Sequence, residues 1–376
     1  MAKPTEILDL AYTQAVNAGS NSLINDDKIR ERVRLVVGNE KNRACVRLLM
    51  SCLLAKASDT TKDVRKPYTE IGDSDAFSGR NIDEKYIFPF ITKKNLPCNP
   101  TTAFLTPAFR NRSIVLTPSV NLVGKPPELY KTTLLLLDDV HKNKIEATVL
   151  LGEVIRELIL LKNRKRSRIR NLLTSLKKNG AGALPLSVSA IVDLLKLQIK
   201  HAGSSRLPVL IVVAAYSIIE HYLEEKVLPL YVHNAADKQT GALGDVEIIR
   251  VNHEKVITVY EMKMKRVTRD DIDIAVEKLA ASKKVVDGYI FITTERIDEE
   301  VVEYSKTLYS KMGGTEFLIL DCVDFAIHFL NIFRGLRMEY LEAYQKLLLS
   351  EPDSAVSQQI KEEFLSLRKG LEGAAL

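Results

Sequence analysis

Cysteine is scarce in this chain: Cys45, Cys52, Cys98 and Cys322 are the four in 376 residues, and no CxxC pair occurs among them. That scatter excludes a disulfide-stapled secreted framework and points to reduced thiols in a cytoplasm. The opening MAKPTEILDLAYTQAV carries Glu6 and Asp9 and has no apolar segment of the kind a signal peptide needs. Long hydrophobic runs are also missing; the longest, Leu207 to Ile219, is too short to span a bilayer and contains Pro208. The histidines at 141, 201, 221, 233, 253 and 328 form neither HxH nor HExxH, which excludes the common zinc spacings. His328, set between Phe325 and Phe329, reads as a core histidine. No G-x-S-x-G elbow or Cys/His nucleophile pattern appears. The G-x-G after Asn179 is not followed by G-K-[ST], so it is no phosphate loop. Internal repeats are not apparent.

What is present describes a globular protein with 46% hydrophobic and 27% charged residues, long enough for two domains and an ample core. The net charge of +6 permits a polyanionic partner without requiring one. Residues 4–66 show helical spacing (Leu8, Ala11, Ala15, then Leu48, Leu49, Leu53), interrupted by the polar Asn17–Asp27 stretch. Residues 67–130 turn irregular, and loops this long tend to be functional. Arg80, Asn81, Lys93, Lys94, Asn99, Thr101, Arg110 and Arg112 supply donors and acceptors suited to base edges or phosphates, or belong to a polar connecting layer. Residues 131–178 predict one or two long helices. Between Lys162 and Lys178 lie eight Lys/Arg and no acid; Arg164, Lys165, Arg166 and Arg168 are candidate phosphate contacts, against the alternative of a solvated helix face. Asn179 to Pro185 is the linker candidate.

The stretch from Gly241 to Arg266, GALGDVEIIRVNHEKVITVYEMKMKR, reads as two strands around a turn at Asn252-His253-Glu254. Alternation puts Ile257, Val259, Glu261 and Lys263 on one face and Val256, Tyr260, Met262 and Met264 on the other. Asp245, followed sixteen residues later by Glu261-Met262-Lys263, fits the D…(D/E)-x-K pattern of Mg²⁺-dependent nucleases. Two carboxylates are what a hard cation takes beside water and phosphate oxygens. A lysine two residues along the strand, roughly 7 Å away, reaches the attacking water and the scissile phosphate. Glu247, on the face of Asp245, and Glu220, on the preceding helix, are auxiliary ligand candidates. By itself the pattern also describes an ordinary Glu–Lys pair at a polar strand end.

Context weighs for the nuclease. A short helix bearing Ile191, Leu194, Leu195 and Leu197 comes first, and a helix over Pro208–Lys226 precedes the motif strands. A further short strand or hairpin edge is expected after them. Thr268 with Asp271 then opens a helix in capping-box style. A strand over Gly288–Thr294, a helix over Glu299–Met312 and a strand over Glu316–Asp321 complete the order of a PD-(D/E)xK core. The tail, with a stripe of Val356, Ile360, Phe364, Leu367 and Leu371, predicts amphipathic helices that serve as core or subunit contact.

The runs VRKPYTEIG, FSGRNIDEKYI, NPTTAFLTPAFRN, SRLPVLIVVAAY, ADKQTGALGDVEI, VYEMKMKRVTRDDIDIAVEKL, YIFITTE and DCVDFAIHFL resemble the SacI-type family of type II restriction endonucleases, over about residues 40 to 370. The resemblance implies an enzyme that cuts double-stranded DNA at a short site, with a modification methyltransferase as its functional partner. It also implies Asp245, Glu261 and Lys263 as the catalytic set and Mg²⁺ as cofactor. The expected fold is α/β (α+β): a mixed β-sheet PD-(D/E)xK nuclease core flanked by helices. The expected division is a helical, loop-rich DNA-recognition region over 1–180, the nuclease domain over 181–335 and C-terminal helices over 336–376. A homodimer is expected, because one Asp–Glu–Lys set serves one strand at a time. The Phe325 to Phe333 stretch and the C-terminal stripe are its candidate contacts. The alternatives are a structure-selective repair or junction-resolving nuclease on the same core, and a non-catalytic DNA-binding protein with a decayed site.

Overall fold

The computed structural model describes residues 3–40, 42–99, 101–110, 113–179, 184–200, 205–230, 242–251, 253–282 and 284–374. Arg112, Asn252 and residues 180–183 of the linker candidate lie outside them. The chain divides into two compact units, 1–167 and 168–376, with the boundary inside one long helix. Among the described residues no helix is long and apolar enough to cross a membrane.

The first unit is helical. Helix α1 (Pro4–Ala18) starts on a proline, α2 (Asp27–Gly38) is capped by Asp26, whose carboxylate accepts from the Ile29 N–H at 3.0 Å, and α3 (Ala44–Ser58) is buried along almost its whole length. Between α3 and the next long helix the chain is irregular, as its Gly, Pro and Asn content predicts, with short helices α4 (Gly79–Ile82) and α5 (Phe88–Lys93). Buried polar bonds hold this layer. Arg47 donates from Nε to both Asp83 oxygens (2.8 and 3.0 Å) and from Nη1 to the Asn99 carbonyl (2.5 Å), and Tyr68 donates to the Phe109 carbonyl (2.6 Å). Helices α6 (Pro127–His141) and α7 (Ala147–Asn179) follow; the buried first part of α7 packs into the core made by α1, α2, α3 and α6.

The second unit is mixed α/β. Helices α8 (Val188–Ile199) and α9 (Leu207–Leu223) lead into a five-stranded sheet in the order β1 (Glu225–Val227), β2 (Val246–Arg250), β3 (His253–Lys263), β4 (Gly288–Thr293) and β5 (Glu316–Asp321). The first three strands are antiparallel neighbours, and β3–β4 and β4–β5 are parallel. The parallel pairs are joined over the sheet by α10 (Arg269–Ser282) and α11 (Glu299–Lys306). Helices α12 (Cys322–Ile332), α13 (Arg337–Ser350) and α14 (Gln358–Ala374) close the chain. One apolar cluster joins α8, α9, α12, α13 and α14 to one sheet face, and a second joins α10 and α11 to the other. The sheet is therefore covered on both sides.

Several expectations change. The extra edge strand β1 lies before the motif strands. Strand β3 already begins at His253, so the turn is shorter than the three residues expected. Register runs Ile248↔Thr258 and then Ile249↔Val256, which leaves Ile257 as an unpaired bulge. The extra residue reverses the alternation upstream: Val256 joins Val259 on the α10 side, and Ile257 joins Tyr260 on the α9 side. The helix ending in Gly313-Gly314 is regular only to Lys306, beyond which the chain turns. Leu197 is exposed, and so is His328, which is no core histidine. In the tail, Val356, Ile360 and Phe364 are buried in the unit's own core, with Leu367 and Leu371 packed against it. Phe325, Phe329 and Phe333 stack into the same core beside Tyr260 and Tyr340. Val356, Ile360, Phe364 and Phe329 are thus core residues of this unit, while Ile332 in the same stretch stays exposed.

Candidate active site

Asp245 enters β2 behind Gly244, and that glycine is required by space. A Cβ there would lie 2.6 Å from Val259 Cγ1 and 2.7 Å from the Tyr260 carbonyl oxygen. The close approach lets the Asp245 N–H donate to the Tyr260 carbonyl (2.9 Å) while its Oδ2 accepts the Met262 N–H (2.7 Å). That N–H belongs to the peptide joining Glu261 to Met262. Asp245 is thereby fixed to the backbone one residue beyond Glu261.

Glu261 projects toward α10. Its Oε1 lies 3.0 Å from the Lys263 ammonium; its Oε2 lies 3.8 Å from the Lys278 ammonium and accepts from the Tyr289 hydroxyl at 3.4 Å. Lys263 also lies 3.4 Å from Asp271 Oδ1, and Lys265 lies 3.3 Å from the same oxygen. Burial works against the Lys263 ammonium, but the Glu261 and Asp271 carboxylates outweigh it and hold its pKa above the ordinary lysine value. Burial likewise opposes the Asp271 carboxylate. Bonds from Thr268 and the neighbouring lysines prevail and keep its pKa below the usual range. Asp245 and Lys263 line a cavity of about 340 Å³ together with Ser205, Val209, Met262, Met264 and Lys265. Glu261 is not in the wall of that cavity. On the opposite side from α10, the Tyr216 and Tyr260 hydroxyls, 2.9 Å apart, tie α9 to β3.

The auxiliary carboxylates separate from the set. Glu247 is 6% exposed and accepts the Leu243 N–H at 2.7 Å, a bond that shapes the approach to Asp245. Glu220 lies on α9 eleven residues beyond Val209, about 16 Å farther along the helix axis. Neither is brought to the cavity. Asp271, Lys278 and Tyr289 are the partners that sequence reasoning missed; Asp271 was visible only as a cap, and Lys278 and Tyr289 carried no local signal.

The basic run sorts by exposure. Arg164, Arg166 and Arg168 are exposed on α7, whereas Lys165 is 9% exposed and lies 3.5 Å from Glu40, so it is no open phosphate contact. Arg80 is exposed and bonded to Glu84 at 2.7 Å, and Arg110 is exposed.

Asp245 and Glu261 supply hard oxygen donors of the kind Mg²⁺ takes, but Asp245 alone of the two lines the cavity, while both Glu261 oxygens face lysine ammoniums. Among the described residues no three His, Cys, Asp or Glu side chains converge. No family model matches this sequence, and no curated protein matches it.

Proposed function

We propose that the chain is a Mg²⁺-dependent type II restriction endonuclease of the SacI type, built on a PD-(D/E)xK core and hydrolysing double-stranded DNA at a short sequence. The observation that carries the reading is the Asp245 carboxylate bonded to the peptide that follows Glu261, with the Lys263 ammonium 3.0 Å from Glu261. The surrounding order supports it: an antiparallel β2–β3 pair bearing the acids, a crossover through α10 and a parallel β4 beside β3.

In this reading Asp245 and Glu261 hold the metal, which when bound supplies Lewis-acid stabilisation of charge on the phosphoryl oxygens. Lys263, facing the Glu261 and Asp271 carboxylates, orients or activates the attacking water beside the scissile phosphate. Arg164, Arg166 and Arg168, with Arg110, are the exposed cations offered to the DNA backbone. A modification methyltransferase that protects the same site is the expected functional partner.

Digestion of a fully sequenced plasmid tests this. Discrete fragments with Mg²⁺, and none with EDTA, are expected. Random nicking would favour a structure-selective nuclease, and an intact plasmid in Mg²⁺ across many sequences would remove the enzyme reading.

A further inference from the structure

We propose that Asp271 is a positioning residue for the lysine of this site, an inference that rests on the nuclease reading and deepens it. Asp271 is 7% exposed and sits in the first turn of α10, where its two oxygens serve different structures. Oδ2 accepts from the Thr268 N–H at 3.0 Å and from its hydroxyl at 2.9 Å, and the Asp271 N–H donates back to Thr268 Oγ1 at 3.3 Å. This reciprocal cap fixes the carboxylate against the start of the helix. Oδ1 points the other way, 3.4 Å from the Lys263 ammonium and 3.3 Å from that of Lys265. One carboxylate thus fastens the end of β3 to the beginning of the crossover helix.

Glu261 alone could not do this. Its Oε1 faces Lys263 from two residues away on the same strand, while its Oε2 faces Lys278 and Tyr289. If Glu261 turns to serve a cation, the Lys263 ammonium loses its nearest neighbour. Asp271, on another element and anchored by its cap, holds Lys263 through that change. It also holds Lys265, which lines the same cavity. Asp271 touches neither substrate nor reacting atoms in this scheme; it acts through Lys263.

Two variants separate this role from simple helix capping. Asp271→Asn keeps an oxygen for the Thr268 bonds and removes the charge. Thr268→Val weakens the cap and keeps the charge. For Asp271→Asn we expect single-turnover cleavage to slow by about 10–100-fold, the scale on which small displacements of a reacting group are felt. Its Kd for the same duplex should stay level or tighten, since a negative charge is lost near the phosphates. Thr268→Val should show the larger drop in Tm and the smaller loss of rate. Rate losses that simply follow the Tm losses in both variants would overturn the proposal. An activity-independent arm uses Tm alone: in a cycle of Asp271→Asn, Lys263→Met and the double variant, the double loss should fall well short of the sum of the single losses. Additive losses would show that the pair is not coupled and overturn the proposal. A wild-type chain that cuts no DNA, together with a coupled cycle, would instead remove the nuclease reading and leave the Asp271–Lys263 link standing.

Discussion

Lys263 has a carboxylate on either side, and this decides what it can do. The Glu261 and Asp271 carboxylates hold its pKa above the usual lysine value and so favour the charged, hydrogen-bond-donating form. Lys263→Ala is therefore expected to abolish cleavage while retaining specific DNA binding, because affinity comes from phosphate and base contacts made elsewhere. Near-normal cutting by that variant, measured beside a gel-shift Kd, would remove the assignment. Gly244 is the second residue of consequence. Adding one methyl group places it 2.7 Å from the Tyr260 carbonyl, so β2 must move away from β3 where Asp245 is held. Gly244→Ala should cost about 1–3 kcal/mol, the usual range for overpacking. It should also lower cleavage far more than it lowers Tm, and a variant that cuts like wild type would show that Asp245 tolerates the shift.

At the scale of elements, most of the second unit was legible. Short β-rich runs bounded by turn residues predicted β4 and β5, and β5 has the bounds read from its composition, Glu316–Asp321. What could not be read was long-range. The bulge at Ile257 is a property of pairing, since nothing in VITVY announces which residue will lack a partner, and it moved two side chains to the opposite face. Lys278 meets Glu261 because a crossover helix folds back over its strand, a meeting to which local spacing is blind. Lys165 shows the converse case: a charge run suggests a solvated face, yet one member turns inward to Glu40. Neutralising Arg164, Arg166 and Arg168 should flatten the salt dependence of DNA binding by roughly 0.9 log unit for each phosphate no longer neutralised, at all sequences alike. An unchanged slope would return this part of α7 to a solvated face. Earlier in the same helix, Glu153 is fully buried and accepts from Arg156 at 2.7 Å and from the Leu23 N–H at 2.9 Å. Burial opposes its charge, and these partners outweigh burial and depress its pKa. A depressed carboxylate stabilises the fold above its unfolded pKa of about 4.3, and that contribution fades as pH falls through the lower folded value. Glu153→Gln should thus cost about 3 kcal/mol at neutral pH, the low end for a broken buried pair, because Glu157 still faces Arg156. The gap between the variant and wild type in denaturant unfolding should narrow below about pH 4; a gap that widened in acid would contradict the sign.

For the molecule as a whole, the proposed function raises the question of how one site would cut two strands. The scissile phosphates of a palindrome are related by a two-fold axis, and each chain brings a single Asp245–Glu261–Lys263 set. Concerted cleavage then calls for two chains joined by an isologous interface that mirrors the DNA. Of the residues that the sequence offered for this purpose, Val356, Ile360, Phe364 and Phe329 are buried in the second unit's own core, and Leu367, Leu371, Phe325 and Phe333 pack against it. Charge substitutions at Phe364 or Phe329 should accordingly unfold the chain, whereas at an interface they would leave a folded monomer. Light scattering of wild type with and without a cognate duplex reads the assembly directly, and the plasmid time course reads its consequence. Two chains per duplex, with linear product appearing without a preceding rise in nicked circles, is the expected result. One chain per duplex throughout, with nicked circles accumulating first, would mean that a monomer cuts the strands in turn, and the two-fold interface would have to be abandoned.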